Sequence, residues 1–69
     1  VHIAPGANVS GNVHLESGCW IGAGAVINQG THENKLVIGS HTLIGSGAVV
    51  TKSCDSGAVY AGIPAKRIK

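Results

Sequence analysis

A chain of 69 residues with one Trp, one Tyr, no Phe and no Met cannot build a broad core on large side chains, so Val, Ile, Leu and Ala must fill a narrow one. The formal charge is +2, and three of the five Lys and Arg residues (Lys66, Arg67, Lys69) fall in the last four positions. That is a local basic tail, not the basic surface of a nucleic-acid binder. Two cysteines, Cys19 and Cys54, make neither a metal-type pair nor a disulfide framework, and no apolar run nears the length of a membrane span, so the expectation is a cytoplasmic protein with reduced thiols, no metal and no membrane partner.

Along the chain the first signal is repetition. From Ile3 the sequence falls into sixes, opening at Ile3, Val9, Leu15, Ile21 and Ile27, and again at Ile38, Ile44 and Val50. The fifth place of each six is small or β-branched: Ala7, Val13, Cys19, Ala25, Thr42, Ala48 and Cys54. Glycine recurs at the second place (Gly22, Gly39, Gly45) and the fourth (Gly6, Gly18, Gly24, Gly30, Gly47). A helix needs apolar residues every three or four positions and tolerates few glycines. A period of six is instead a short strand followed by a turn, with glycine supplying the turn angles. Three such sides close a triangle of ~18 residues, and successive triangles stack about 4.8 Å apart by parallel strand pairing. The opening aliphatics then form inward columns: Ile3, Ile21 and Ile44; Val9, Ile27 and Val50; Leu15 and Ile38.

Between Ile27 and Ile38 lie one six and five further residues, Thr31-His32-Glu33-Asn34-Lys35, the most polar stretch of the chain. A polar insertion that leaves its flanks in register is a loop extruded at a corner, here between the second and third sides of the second coil. After Asp55 the spacing changes, so residues 1–55 are assigned to the coils and 56–69 to a cap over strand edges that would otherwise be open. The fold expected is all-β, a parallel β-helix of about three triangular coils with one extruded loop (31–35) and a C-terminal cap. Because the chain starts inside a coil, it reads as the C-terminal part of a longer protein. Repeat spacing puts His2, Trp20 and Leu43 at one corner and His14 at another. His32 belongs to the loop, His41 to a turn, and both cysteines to the small fifth place, as core fillers.

The blocks Val1–Ala7 (VHIAPGA), Gly11-Asn12-Val13, Trp20–Val26 (WIGAGAV), Ile44–Lys52 (IGSGAVVTK) and Gly62–Arg67 (GIPAKR) resemble the hexapeptide-repeat sugar O- and N-acetyltransferases, of the sialic acid O-acetyltransferase and UDP-N-acetylbacillosamine N-acetyltransferase kind. The resemblance covers nearly the whole chain outside the loop. It implies a left-handed coil, against the usual right-handed crossover. It also implies a homotrimer, with acetyl-CoA in grooves between subunits and an amino or hydroxyl group of a sugar or nucleotide sugar as acceptor. An N-terminal nucleotide-sugar-binding domain and the first coils would then precede residue 1. In similar enzymes the residue matching His2 contacts acetyl-CoA, and those matching Ala23 and Ser46 give it backbone groups. Trp20 either lines the cofactor groove or packs at a subunit interface. Lys66 and Arg67 are candidates for the cofactor's phosphates. The family's general base, a histidine nine residues before the position of His2, falls ahead of residue 1, so no catalytic residue is assigned here and residues 1–69 alone are expected to be inactive. Two other functions compete: a structural trimerisation module without activity, and a zinc enzyme of the γ-carbonic anhydrase kind. Histidines at differing corners, with no close ligand pair, weigh against the second.

Overall fold

The computed structural model describes all residues, 1–69, and contains ten short strands and no helix. In chain order they are β1 (His2–Ile3), β2 (Asn8–Val9), β3 (Val13–Leu15), β4 (Trp20–Ile21), β5 (Val26–Ile27), β6 (Leu36–Ile38), β7 (Leu43–Ile44), β8 (Val49–Val50), β9 (Val59–Ala61) and β10 (Lys66–Arg67). They assemble into three parallel ladders, the sides of a triangular column. The first face runs β1-β4-β7-β9, the second β2-β5-β8, and the third β3-β6, lengthened by a parallel bridge between Ile38 and Cys54. Register follows the repeat: Ile3 pairs with Ile21 and Ile21 with Ile44, Val9 with Ile27 and Ile27 with Val50, and Leu15 with Ile38. The three inward columns expected from the sequence are therefore present.

Each strand is short because each six-residue unit carries its own corner. The fourth residue of the unit takes a positive φ at Gly6, Asn12, Gly18, Gly24, His41, Gly47 and Gly57, and the fifth residue's N–H donates back to the carbonyl of the second, as in Ala25 to Gly22 at 3.2 Å and Ala48 to Gly45 at 3.2 Å. Gly18 shows why this place resists a side chain. A Cβ there would stand 2.3 Å from Nδ1 of His41, whose ring covers the same corner one coil on. His41 itself holds a φ of 56°, an uncommon angle for a non-glycine residue.

The core is the set of inward openings and fifth places: Cys19, Ile21, Ala25, Ile27, Leu36, Ile38, Ile44, Ala48, Val50, Cys54 and Ala58. Burial falls towards the start of the column, where Ile3 is 48% and Val9 38% exposed while Ile21, Ile27 and Ile44 are fully covered. Thr42 is the buried polar residue of the interior. Its hydroxyl donates to the Asp55 carbonyl at 2.6 Å, which meets the requirement that buried polar groups be bonded.

Three features depart from the sequence reading. The six-residue pattern does not stop at Asp55: Cys54–Val59 forms another unit, with Cys54 and Ala58 inward and Gly57 at the turn, and Tyr60 then stacks on Ile44. Cys54 is thus the opening residue of a third-face unit, paired with Ile38, and not a fifth-place filler of the unit before. The cause is a corner two residues short: only three residues separate Val50 from Cys54. Finally, turns fall at the third and fourth places of each unit, so His2, Trp20 and Leu43 lie within the strands of the first face and not at a corner. Within 56–69, β9 continues the first face and β10 returns antiparallel to it, Lys66 opposite Ala61 and Arg67 opposite Tyr60.

Candidate functional site

Successive residues of a strand face opposite ways. Beside each inward Ile of the first face therefore stands an outward residue, and parallel register stacks those residues: His2 on Trp20, Trp20 on Leu43, Leu43 on Val59. The His2 and Trp20 rings are stacked, with centroids 3.9 Å apart and planes 24° from parallel. Trp20 is 50% and Leu43 42% exposed. This ladder is a flat aromatic and aliphatic surface with one titratable group, His2, at its end.

Ala23 and Ser46 lie three residues further along each coil, at the corner between the first and second faces. Three residues of extended chain span roughly 10 Å, so the line of backbone groups and the line of side chains run side by side up the column. Both residues are exposed. The Ala23 carbonyl accepts from Gly47 N–H at 2.9 Å, while the N–H groups of Ala23 and Ser46 donate to nothing in the chain. Free amides at the third place recur at Ser17 and Gln29. What distinguishes Ala23 and Ser46 is their place beside the His2–Trp20–Leu43 ladder.

Lys66 and Arg67 stand on β10 above the end of the first face. The Arg67 guanidinium reaches Asp55 of the third face, 3.6 Å from its carboxylate, and its Nε donates to the Lys69 carbonyl at 3.1 Å. Arg67 thus points away from Ala23 and Ser46, although an exposed pair of this kind contributes little and exchanges partners readily. Both β10 side chains are exposed. The remaining histidines stand apart: His14 outward on the third face beside Val37, His32 exposed in the loop, His41 at its corner. No three His, Cys, Asp or Glu side chains gather as a metal site would require.

The sequence reading missed two arrangements. One is a polar latch at the third-face edge: the Tyr60 hydroxyl accepts from Asp55 N–H at 3.0 Å, Thr42 donates to the Asp55 carbonyl, and Arg67 meets its carboxylate. Nothing in the spacing signals it, since Tyr60 lies beyond the shortened corner. The other is a polar notch between the inserted loop and that corner. The cysteines are inert fillers: burial pushes both thiols up, Cys54 to about 11 with Asp55 adding to the effect.

No family model matches the chain. Among curated relatives, the 2,3,4,5-tetrahydropyridine-2,6-dicarboxylate N-acetyltransferase of Staphylococcus aureus is 36% identical over the whole chain, which covers 30% of that enzyme. Among solved structures, WeeI from Acinetobacter baumannii superposes with a TM-score of 0.94 at 48% identity, over 96% of this chain and 31% of that one. The acetyltransferase domain of PglB from Neisseria gonorrhoeae, in complex with acetyl coenzyme A, gives a TM-score of 0.86 at 36% identity, over 97% of this chain and 30% of that one. The chain therefore spans about a third of the length of these proteins. The chain has the left-handed parallel β-helix fold of these structures, and it is similar to them in sequence and in backbone together.

Proposed function

We propose that the chain is the β-helix part of an acetyl-CoA-dependent N- or O-acetyltransferase acting on an amino or hydroxyl group of a nucleotide-linked sugar. The observation that carries this reading is the match, in sequence and backbone, to the PglB acetyltransferase domain that holds acetyl coenzyme A, on a chain whose first face presents the His2–Trp20–Leu43 ladder beside the free amides of Ala23 and Ser46. In this reading the ladder shelters the pantetheine arm. The two amides hold its carbonyls, and small side chains at both places let it approach. Lys66 and Arg67 reach the phosphates. The acceptor nitrogen or oxygen attacks the thioester carbonyl directly, the C–S bond breaks with CoA leaving as its thiolate, and no acyl-enzyme forms. The proton goes to a histidine that the family resemblance places nine residues ahead of His2, outside residues 1–69; an imidazole suits that task because its pKa lies near working pH. The protein would work as a cytoplasmic homotrimer, with the chain after β9 capping each column. No helix is long and apolar enough to cross a membrane.

A second acceptor reading comes from the Staphylococcus aureus relative, whose name specifies a tetrahydropyridine dicarboxylate and not a sugar. The cofactor half of the reading is tested by calorimetric titration of CoA into the protein. His2→Ala is expected to weaken CoA about tenfold, the loss of one stacked, hydrogen-bonding contact. Equal affinity in parent and variant would remove the groove from the first face.

A further inference from the structure

Two irregularities of the column meet at one vertex. Residues 31–35 leave it between the second and third faces. One coil on, the same vertex is two residues short. Extra chain beside missing chain leaves a notch of about 340 Å³, whose lining includes Thr31, Asn34, Lys35, Thr51, Lys52 and Ser53. Leu36 is its one apolar member.

The notch is a set of donors. Lys35 and Lys52 bring two of the chain's five cationic side chains to it, and no carboxylate is among its lining residues: Glu33 belongs to the same loop but does not line the notch, and Asp55 is engaged with Arg67. The backbone N–H groups of Thr51, Lys52 and Ser53 donate to nothing in the chain, and neither does the Thr51 hydroxyl. Ser53 Oγ accepts from Val37 N–H at 2.9 Å, which leaves its own O–H to donate outward. Ammonium, hydroxyl and amide donors in a lining that holds no carboxylate select a ligand with several charged acceptor oxygens.

We propose that this notch is a binding site for a phosphate-bearing anion, separate from the first-face groove. The proposal rests on the notch's own donors and stands or falls independently of the acetyl-CoA reading. Phosphate oxygens at this vertex have two possible sources, a free anion or the phosphates of coenzyme A itself.

The test is a titration of pyrophosphate into ¹⁵N-labelled protein at low ionic strength, where exposed charges are least screened, run with and without saturating CoA. The expected result is saturable shifts at the amides of Thr31, Thr51, Lys52 and Ser53 that persist when CoA is present. The double variant Lys35→Gln/Lys52→Gln should weaken pyrophosphate about tenfold or more. Lys69→Gln, which removes an equal charge elsewhere, should leave it unchanged, and CoA affinity by calorimetry should be the same in all three proteins. No saturable shift at these amides would overturn the site, and so would shifts that survive in the double variant. Shifts abolished by saturating CoA would assign the notch to the cofactor's own phosphates and overturn its independence. Failure of CoA to bind at all, with pyrophosphate shifts intact, would sink the acetyl-CoA reading alone.

Discussion

Cys54 joins two coils: its carbon chain is inward above Ile38, and its backbone carries the bridge that extends the third face. Burial, first, and the Asp55 carboxylate, second, push its thiol from 9.0 to about 11. A thiol that keeps its proton more tightly when folded stabilises the fold fully below the unfolded value, and that contribution is lost as pH rises from about 9 to about 11. Chemical denaturation followed across that window should show stability falling. In Cys54→Ala the plateau should be lower, from the buried sulfur removed, but the fall shallower, with Cys19 supplying what remains. An unchanged slope in the variant would dissociate Cys54 from the alkaline loss. The same residue shows where the sequence was opaque. Cysteine suits both the small fifth place and the inward opening place, and Thr51, Lys52 and Ser53 carry no glycine to mark a corner, so nothing in the spacing showed the chain to be two residues short.

At the scale of elements, the loop 31–35 was legible because its neighbours give it away. Removing it joins Gly30 to Leu36 and restores a regular unit, with Leu36 in the buried fifth place. Both roots are pinned to the first coil: Gly30 N–H donates to Gly11 at 3.0 Å and Leu36 N–H to Asn12 at 3.1 Å. Gly30 leaves no room at its root, since a Cβ would lie 2.3 Å from the Asn12 carbonyl oxygen. Within the loop, Thr31 and Asn34 close their own turn by mutual hydrogen bonds. Deleting residues 31–35 should therefore change stability by less than about 1 kcal/mol, read as a denaturation midpoint, while removing the notch. A collapse of the fold would mean that the loop supports the column. The placement of His2, Trp20 and Leu43 was less legible for a different reason. A period states which residues align, not where within the period the turn falls. The phase is set by the positive φ angles of the fourth place, and reading the corner one half-unit too early moved the ladder from the face to the vertex. The stacking itself was right, and Ala23 and Ser46 form a second line beside it.

For the whole molecule, cooperation is local along the column, because each coil touches only the coils next to it. Exposure of Ile3 and Val9 against full burial of Ile21, Ile27 and Ile44 makes the first coil the least protected part of the chain taken by itself. Its amides hang from the second coil, Asn8 N–H on Ala25 at 2.8 Å, whereas Val26 N–H, on Ala48 at 2.8 Å, sits one layer further in. Hydrogen exchange of residues 1–69 alone should find Asn8 about tenfold or more faster than Val26. Equal rates would mean that the column opens as one unit. Handedness stayed out of reach of the sequence, since repeat and burial are the same for either twist and only resemblance favoured the left.

The vertex between the second and third sides tolerates both a surplus of five residues and a deficit of two, while the other two vertices keep strict count. It is the expansion joint of the column. Foreign peptides spliced in there, at His32, would hang clear of the side carrying His2 and Trp20, so tags, epitopes or a second domain belong at that joint.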